Sequence, residues 1–131
     1  MAKLIQVVSA YSPRLKLDRR VTMKELVKLI SGRTGLNRGD IRQVLSELKE
    51  AISFFHLAGR AVKIEGLGSY SPRINLKGVF SISHRLDPEL KSELNQDREY
   101  EGEIINRDMI GKTIEELVTR WNEEHPDDPV A

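Results

Sequence analysis

Apolar positions along this chain recur with two different periods, and the change of period divides it. Met23, Leu26, Val27 and Ile30 fall at helical spacing behind Thr22-Met23-Lys24-Glu25, a capping box, so a helix is predicted from Thr22 with its natural stop at Ser31-Gly32 or a little further on at Gly35. Asn37 opens a second, longer helix. Ile41, Leu45, Leu48, Ile52 and Phe55 form a seam stepping by four and three, broadened by Val44 and Ala51, and Gly59 ends it. The period then drops to two. Arg60 to Glu65 alternates polar and apolar, Gly66-Leu67-Gly68 is a tight turn, and Ser69 to Ile74 resumes extended, with Pro72 suited to an edge or a bulge. Val79 to Ser83 alternates again. Residues 87–94 form either a loop or a helical turn with Asp87 as cap and Pro88 at its first position, and 100–106 returns to strand. Thr113-Ile114-Glu115-Glu116 caps a last helix with Ile114, Leu117, Val118 and Trp121 on its apolar face, stopped by Pro126. At the start of the chain, Leu4, Ile5, Val7 and Val8 predict a strand over 2–10, followed by a basic loop or edge strand at 12–20.

The length of 131 residues predicts one domain, large enough to hold a core without covalent staples. Its boundaries are 1–125: an N-terminal strand extension at 1–21, a helical pair at 22–58, sheet and arm at 59–106, and a C-terminal helix at 112–125. Residues 126–131 are expected to form a flexible tail. With no cysteine there is no disulfide, thiolate zinc site or cysteine nucleophile, which suits a reducing, cytoplasmic setting. No apolar run approaches the length of a membrane span, and Gln6 interrupts the only stretch resembling a signal sequence.

Charge changes the picture more. Residues 1–85 hold 16 basic and 6 acidic side chains, a net of +10, whereas 86–131 hold 5 and 14, a net of −9. Such asymmetry indicates a basic face for a polyanion and an acidic segment. Enzymatic chemistry finds little support. His56, His84 and His125 are far apart with no metal-ligand spacing, no serine sits in a nucleophile elbow, and Gly66-x-Gly68 leads into a strand, not the helix a dinucleotide site requires. No cofactor, metal or small-molecule substrate is expected. Arg73, Lys77 and Arg85 instead lie along an extended segment just after the glycine turn, where a two-stranded ribbon could meet nucleic acid.

The order helix, turn, long helix, strand, G-x-G turn, strand, arm, strand, helix resembles the HU/integration host factor family of bacterial DNA-binding proteins. The residues that carry this are Leu36-Asn37-Arg38-Gly39-Asp40-Ile41, the helical pattern to Phe55, and Gly59-Arg60-Ala61-Val62-Lys63-Ile64-Glu65-Gly66-Leu67-Gly68-Ser69-Tyr70. The resemblance is good over 22–73, while the final helix matches in position only. It implies an α+β, HU-like fold with a helix-turn-helix pair, an antiparallel sheet with a β-arm and a C-terminal helix, here with an extra N-terminal strand, assembled as an intertwined, nucleoid-associated homodimer that binds duplex DNA with little sequence preference. By this resemblance the turn residues Gly66, Leu67, Gly68 and Ser69 lie near phosphates and Arg73 follows them; Lys63, Lys77 and Arg85 complete the DNA-binding set. Leu45, Leu48, Ile52 and Phe55 are the expected dimer contacts. The family's basic R-N-P arm tip has no counterpart in Asn75-Leu76-Lys77-Gly78-Val79, and the stretch 86–103 is acidic. The alternative is therefore a dimeric interaction module that keeps the fold without the DNA.

Overall fold

The computed structural model describes residues 1–96 and 100–130. In chain order it contains helix α1 (Leu4–Tyr11), strand β1 (Arg14–Lys16), helices α2 (Met23–Thr34) and α3 (Arg38–Leu57), and strands β2 (Val62–Ile64), β3 (Gly68–Ile74) and β4 (Phe80–Leu86). Helix α4 (Pro88–Leu94), strand β5 (Glu103–Ile105), a 3-10 turn (Arg107–Met109) and helix α5 (Ile114–Glu124) follow. Where one domain was expected over 1–125, the chain divides into two compact units, Met1–Arg19 with Glu101–Ala131, and Arg20–Tyr100.

The terminal unit corrects three expectations. The predicted strand over 2–10 is helix α1. Leu4, Val7, Val8 and Tyr11 sit at i, i+3, i+4 and i+7, and burying Val7 and Tyr11 against Leu117 of α5 outweighs the strand propensity of the segment's β-branched residues. Val7, Tyr11 and Leu117 form the core, with Met109, Val118, Trp121 and Val130 packed around it. Strand β5, expected to continue the sheet of 59–106, pairs instead with β1, from Arg14 opposite Ile105 to Lys16 opposite Glu103. The expected flexible tail is tied down over its described residues. The Val130 amide donates to Asn122 Oδ1 at 2.7 Å, Trp121 Nε1 donates to the Asp128 carbonyl at 2.7 Å, and the Ala2 amide reaches the Pro129 carbonyl at 3.1 Å.

One polar knot holds α1 to α5. The Tyr11 hydroxyl donates to Glu124, and Arg120 binds Glu124 at 2.9 Å and Asp108 at 2.8 Å while its guanidinium lies 5.1 Å from the centre of the Tyr11 ring. The Tyr11 hydroxyl, then the Arg120 guanidinium, hold the Glu124 carboxyl below the usual carboxylate range. Burial, then the bond to Glu124, raises the Tyr11 phenol.

In the second unit, Thr22 and Asn37 cap α2 and α3 as predicted, through the Glu25 and Gly39 amides. Helix α2 runs past Gly32 and stops at Gly35, whose φ of 74° is the left-handed conformation a terminating glycine supplies. Strands β2, β3 and β4 form an antiparallel meander. Strand β2 reaches only Tyr70 (opposite Val62), so Pro72, although in the middle strand, lies where β3 has an open edge and its missing N–H costs no ladder bond. At Gly68 a Cβ would stand 2.5 Å from the Arg85 carbonyl oxygen and 2.8 Å from His84 Nε2.

Two outcomes follow. Gly68→Ala destabilises the sheet unit by about 3 kcal/mol, from overpacking against backbone, read as a lower denaturation midpoint by circular dichroism. For Glu124, a depressed folded pKa means that its stabilisation is present above the unfolded value of about 4.3 and is lost as pH falls through the folded one. Trp121, the only tryptophan, reports on this unit alone. Its thermal midpoint should drop on acidification below about pH 4, and less steeply in Tyr11→Phe.

Candidate nucleic-acid interface

Successive side chains of a strand point to opposite faces, and the register of β2, β3 and β4 sorts this sheet into two chemically distinct surfaces. Ser69 stands between Lys63 on β2 and Arg85 on β4, Ser71 opposite Ser83, and Arg73 opposite Ser81. One face therefore carries Lys63, Arg73 and Arg85 with four serine hydroxyls and no carboxylate. Arg73 lies four residues, about 13 Å, along the strand from the Lys63–Ser69–Arg85 row. Lys77 sits in the hairpin turn beyond, where Asn75 Oδ1 accepts from the amides of Lys77 at 2.9 Å and Val79 at 3.0 Å.

The cations of this face have no counter-charges. Among the described residues, Lys63, Arg73, Lys77 and Arg85 form no side-chain hydrogen bond and no ion pair, whereas in the terminal unit Lys16 pairs with Glu103, Lys112 with Glu116, and Arg120 with two carboxylates. Unpaired, solvated cations on one face leave a positive surface potential; paired ones cancel theirs.

The glycine turn has a different environment. Gly66, at φ 81°, donates its amide to Asp87 Oδ2 at 3.2 Å, while Asp87 Oδ1 caps α4 through the Glu89 amide at 2.9 Å and the Asp87 amide donates to the Leu67 carbonyl at 3.0 Å. Of the four turn residues the resemblance placed near phosphates, Ser69 lies on the basic face. Gly66 already serves a carboxylate, Leu67 accepts from the chain, and Gly68 is buried. The acidic stretch thus begins on the turn itself; its residues 97–99 lie outside the described residues.

The opposite face is apolar. Pro72, Ile74, Phe80 and Ile82 from the hairpin meet Ser53, His56 and Leu57 from the end of α3 around an open groove of about 960 Å³, which Arg73 and Ser81 also line. His56 Nε2 lies 3.0 Å from the Tyr70 carbonyl oxygen, and the Tyr70 ring stacks on His84 at 4.5 Å. Among the described residues of this unit, Val27 and Ile41 are the large apolar side chains that are buried; Leu57 is 91% exposed and Phe80 77%. Of the expected dimer contacts, Leu45, Leu48 and Ile52 are already half-buried inside the unit. Phe55 remains more exposed, edge-on to Phe54 and beneath the Arg60 guanidinium. Val44, Phe54, Leu57, Phe80 and Ile82 are more exposed still. Sequence reading missed Ser71, Ser81 and Ser83 on one face and Phe54, Leu57, Phe80 and Ile82 on the other. The alternation of residues 80–86 carried that signal.

Known proteins place this arrangement. A sequence model of the family described as "HU domain fused to wHTH, Ig, or Glycine-rich motif" matches residues 6–93. A solved mutant HU protein from Thermotoga maritima is 22% identical, with a TM-score of 0.48, covering 56% of this chain and 99% of that one. No curated protein matches. With two thirds of its length matched by that family, and with two capped helices, a glycine turn and an antiparallel meander in the expected order, the chain belongs to the HU-HIG family as an HU-like α+β protein.

Proposed function

We propose that this chain is a nucleoid-associated, cytoplasmic DNA-binding protein that holds duplex DNA through its phosphates with little sequence preference. The observation that carries this is the sheet face bearing Lys63, Arg73 and Arg85 among four serines, with no carboxylate and no counter-ion, continued by Lys77 at the hairpin tip. Phosphate contacts need point charges and hydroxyl or amide donors, and such a face supplies both without base-specific geometry. Fluorescence anisotropy of a labelled duplex tests it. Affinity should fall steeply with salt, by about 0.9 log units per log unit of salt for each neutralised phosphate. Arg73→Ala with Lys77→Ala should weaken binding to all sequences alike and flatten that slope by about two. Unchanged affinity in the double variant removes these residues from the site.

The functional form is a homodimer. An 81-residue unit that buries so few of its large apolar side chains, exposing Leu57, Phe80 and Ile82 around one groove and Phe54 elsewhere on α3, lacks the core a free domain needs. A second copy brings the same apolar surface, and Leu45, Leu48, Ile52 and Phe55 line the helix that presents it. Sedimentation should give twice the chain mass; Phe54→Glu with Ile82→Glu should give the chain mass and lose part of the helical signal.

A second reading, an HU-like interaction module without DNA, draws on the hairpin tip. Ile74, Leu76, Val79 and Phe80 are exposed there, Leu76 at 108%, in place of a basic tip. Absence of duplex binding even at low salt would favour it.

A further inference from the structure

We propose that Asp87 is an autoinhibitory contact, a carboxylate standing in for phosphate at the glycine turn. This rests on the DNA-binding reading above. The turn beside the Lys63–Ser69–Arg85 row has in Gly66 an amide that a phosphate oxygen could accept from, and Asp87 Oδ2 already takes it. The contact is not a by-product of helix capping. Capping α4 engages Oδ1, through the Glu89 amide at 2.9 Å, and Oδ2 is left over for Gly66. At 3.2 Å the Gly66 bond is longer than the 2.7–2.9 Å usual for a charge-assisted bond, so it is a weak one that a phosphate oxygen can replace. Glu89 adds a second negative charge here, its Oε2 lying 3.8 Å from where a Cβ on Gly66 would stand. A duplex laid along the basic face must therefore push against a fixed carboxylate at the end of the sheet away from the hairpin tip. Binding is weakened, most of all at low salt, and made less salt-dependent than the cations alone would set.

Asp87→Asn separates the two roles. An amide has one acceptor oxygen, enough to keep the helix cap, and its NH2 group cannot accept from Gly66. Asp87→Ser, also a good cap and also neutral, serves as a second variant should the first melt early. Glu50→Gln on the exposed part of α3 removes the same charge far along the chain. In low-salt anisotropy with a labelled duplex, Asp87→Asn and Asp87→Ser should bind about three- to tenfold more tightly than the parent, Glu50→Gln should change affinity by less than about twofold, and the gain should shrink at high salt. Equal affinities for the Asp87 and Glu50 variants overturn the proposal. If Arg73→Ala still weakens binding in that case, the DNA-binding reading stands without the autoinhibition. If neither the parent nor any Asp87 variant binds duplex at low salt, both fall together.

Discussion

The pleat of the β3–β4 hairpin is the constraint on which the rest of this molecule depends. Each residue from Gly68 to Ile74 has a partner from Leu86 to Phe80, so a single register decides which side chains share a face. A slip of β4 by one residue would send Phe80, Ile82 and His84 to the face of Arg73 and take Arg85 from it. The register is pinned at both ends. At the turn, Asn75 gathers two amides on one side-chain oxygen. At the other end, Gly68 lets the Arg85 carbonyl and the His84 ring approach to distances no Cβ allows. The glycine turn is in this sense a packing device first, and its neighbourhood to a charged surface follows from it.

Charge is distributed by the same logic. The terminal unit uses its charged groups to hold itself together. Arg120 sits between Glu124 and Asp108 over the Tyr11 ring, and the first residue's ammonium meets Asp128. Exposed pairs of this kind contribute little each, and several sharing one arginine contribute more. On the sheet face, Lys63, Arg73, Lys77 and Arg85 form no ion pair among the described residues and gain no internal stability from one. The sequence of the sheet unit carries 14 basic and 10 acidic residues, a net of +4, whereas that of the terminal unit carries 7 and 10, a net of −3.

Much of the sheet unit was legible in the sequence, because its signals are local. Thr22 and Asn37 are caps, Gly35 and Gly59 are stops, and strict alternation marks β4; each acts over three to five residues. That Lys63, Arg73 and Arg85 share one face follows from the same alternation. What stayed hidden depends on partners distant in the chain. Residues 4–11 have strand-forming composition and helical spacing, and what decides between them is the buried contact of Val7 and Tyr11 with Leu117, more than a hundred residues away. Strand β5 has the composition of any short edge strand; that it pairs with β1 could not be read from Glu103-Ile104-Ile105 alone. The tail looked mobile because Pro126 and Pro129 break structure, yet Asn122 exchanges two hydrogen bonds with Val130.

The seam on α3 shows why periodicity alone cannot assign an interface. Its step of four and three describes a stripe, and a stripe can be spent on an internal neighbour as readily as on a second chain. Here Leu45, Leu48 and Ile52 are half consumed within the unit, and the apolar surface left over is shifted around the helix to Val44, Phe54 and Leu57. The sheet supplies Phe80 and Ile82 to the same groove as Leu57. An interface built on that groove is a continuation of the unit's own core, not an addition to it. In the proposed homodimer, association and folding of the sheet unit are one process.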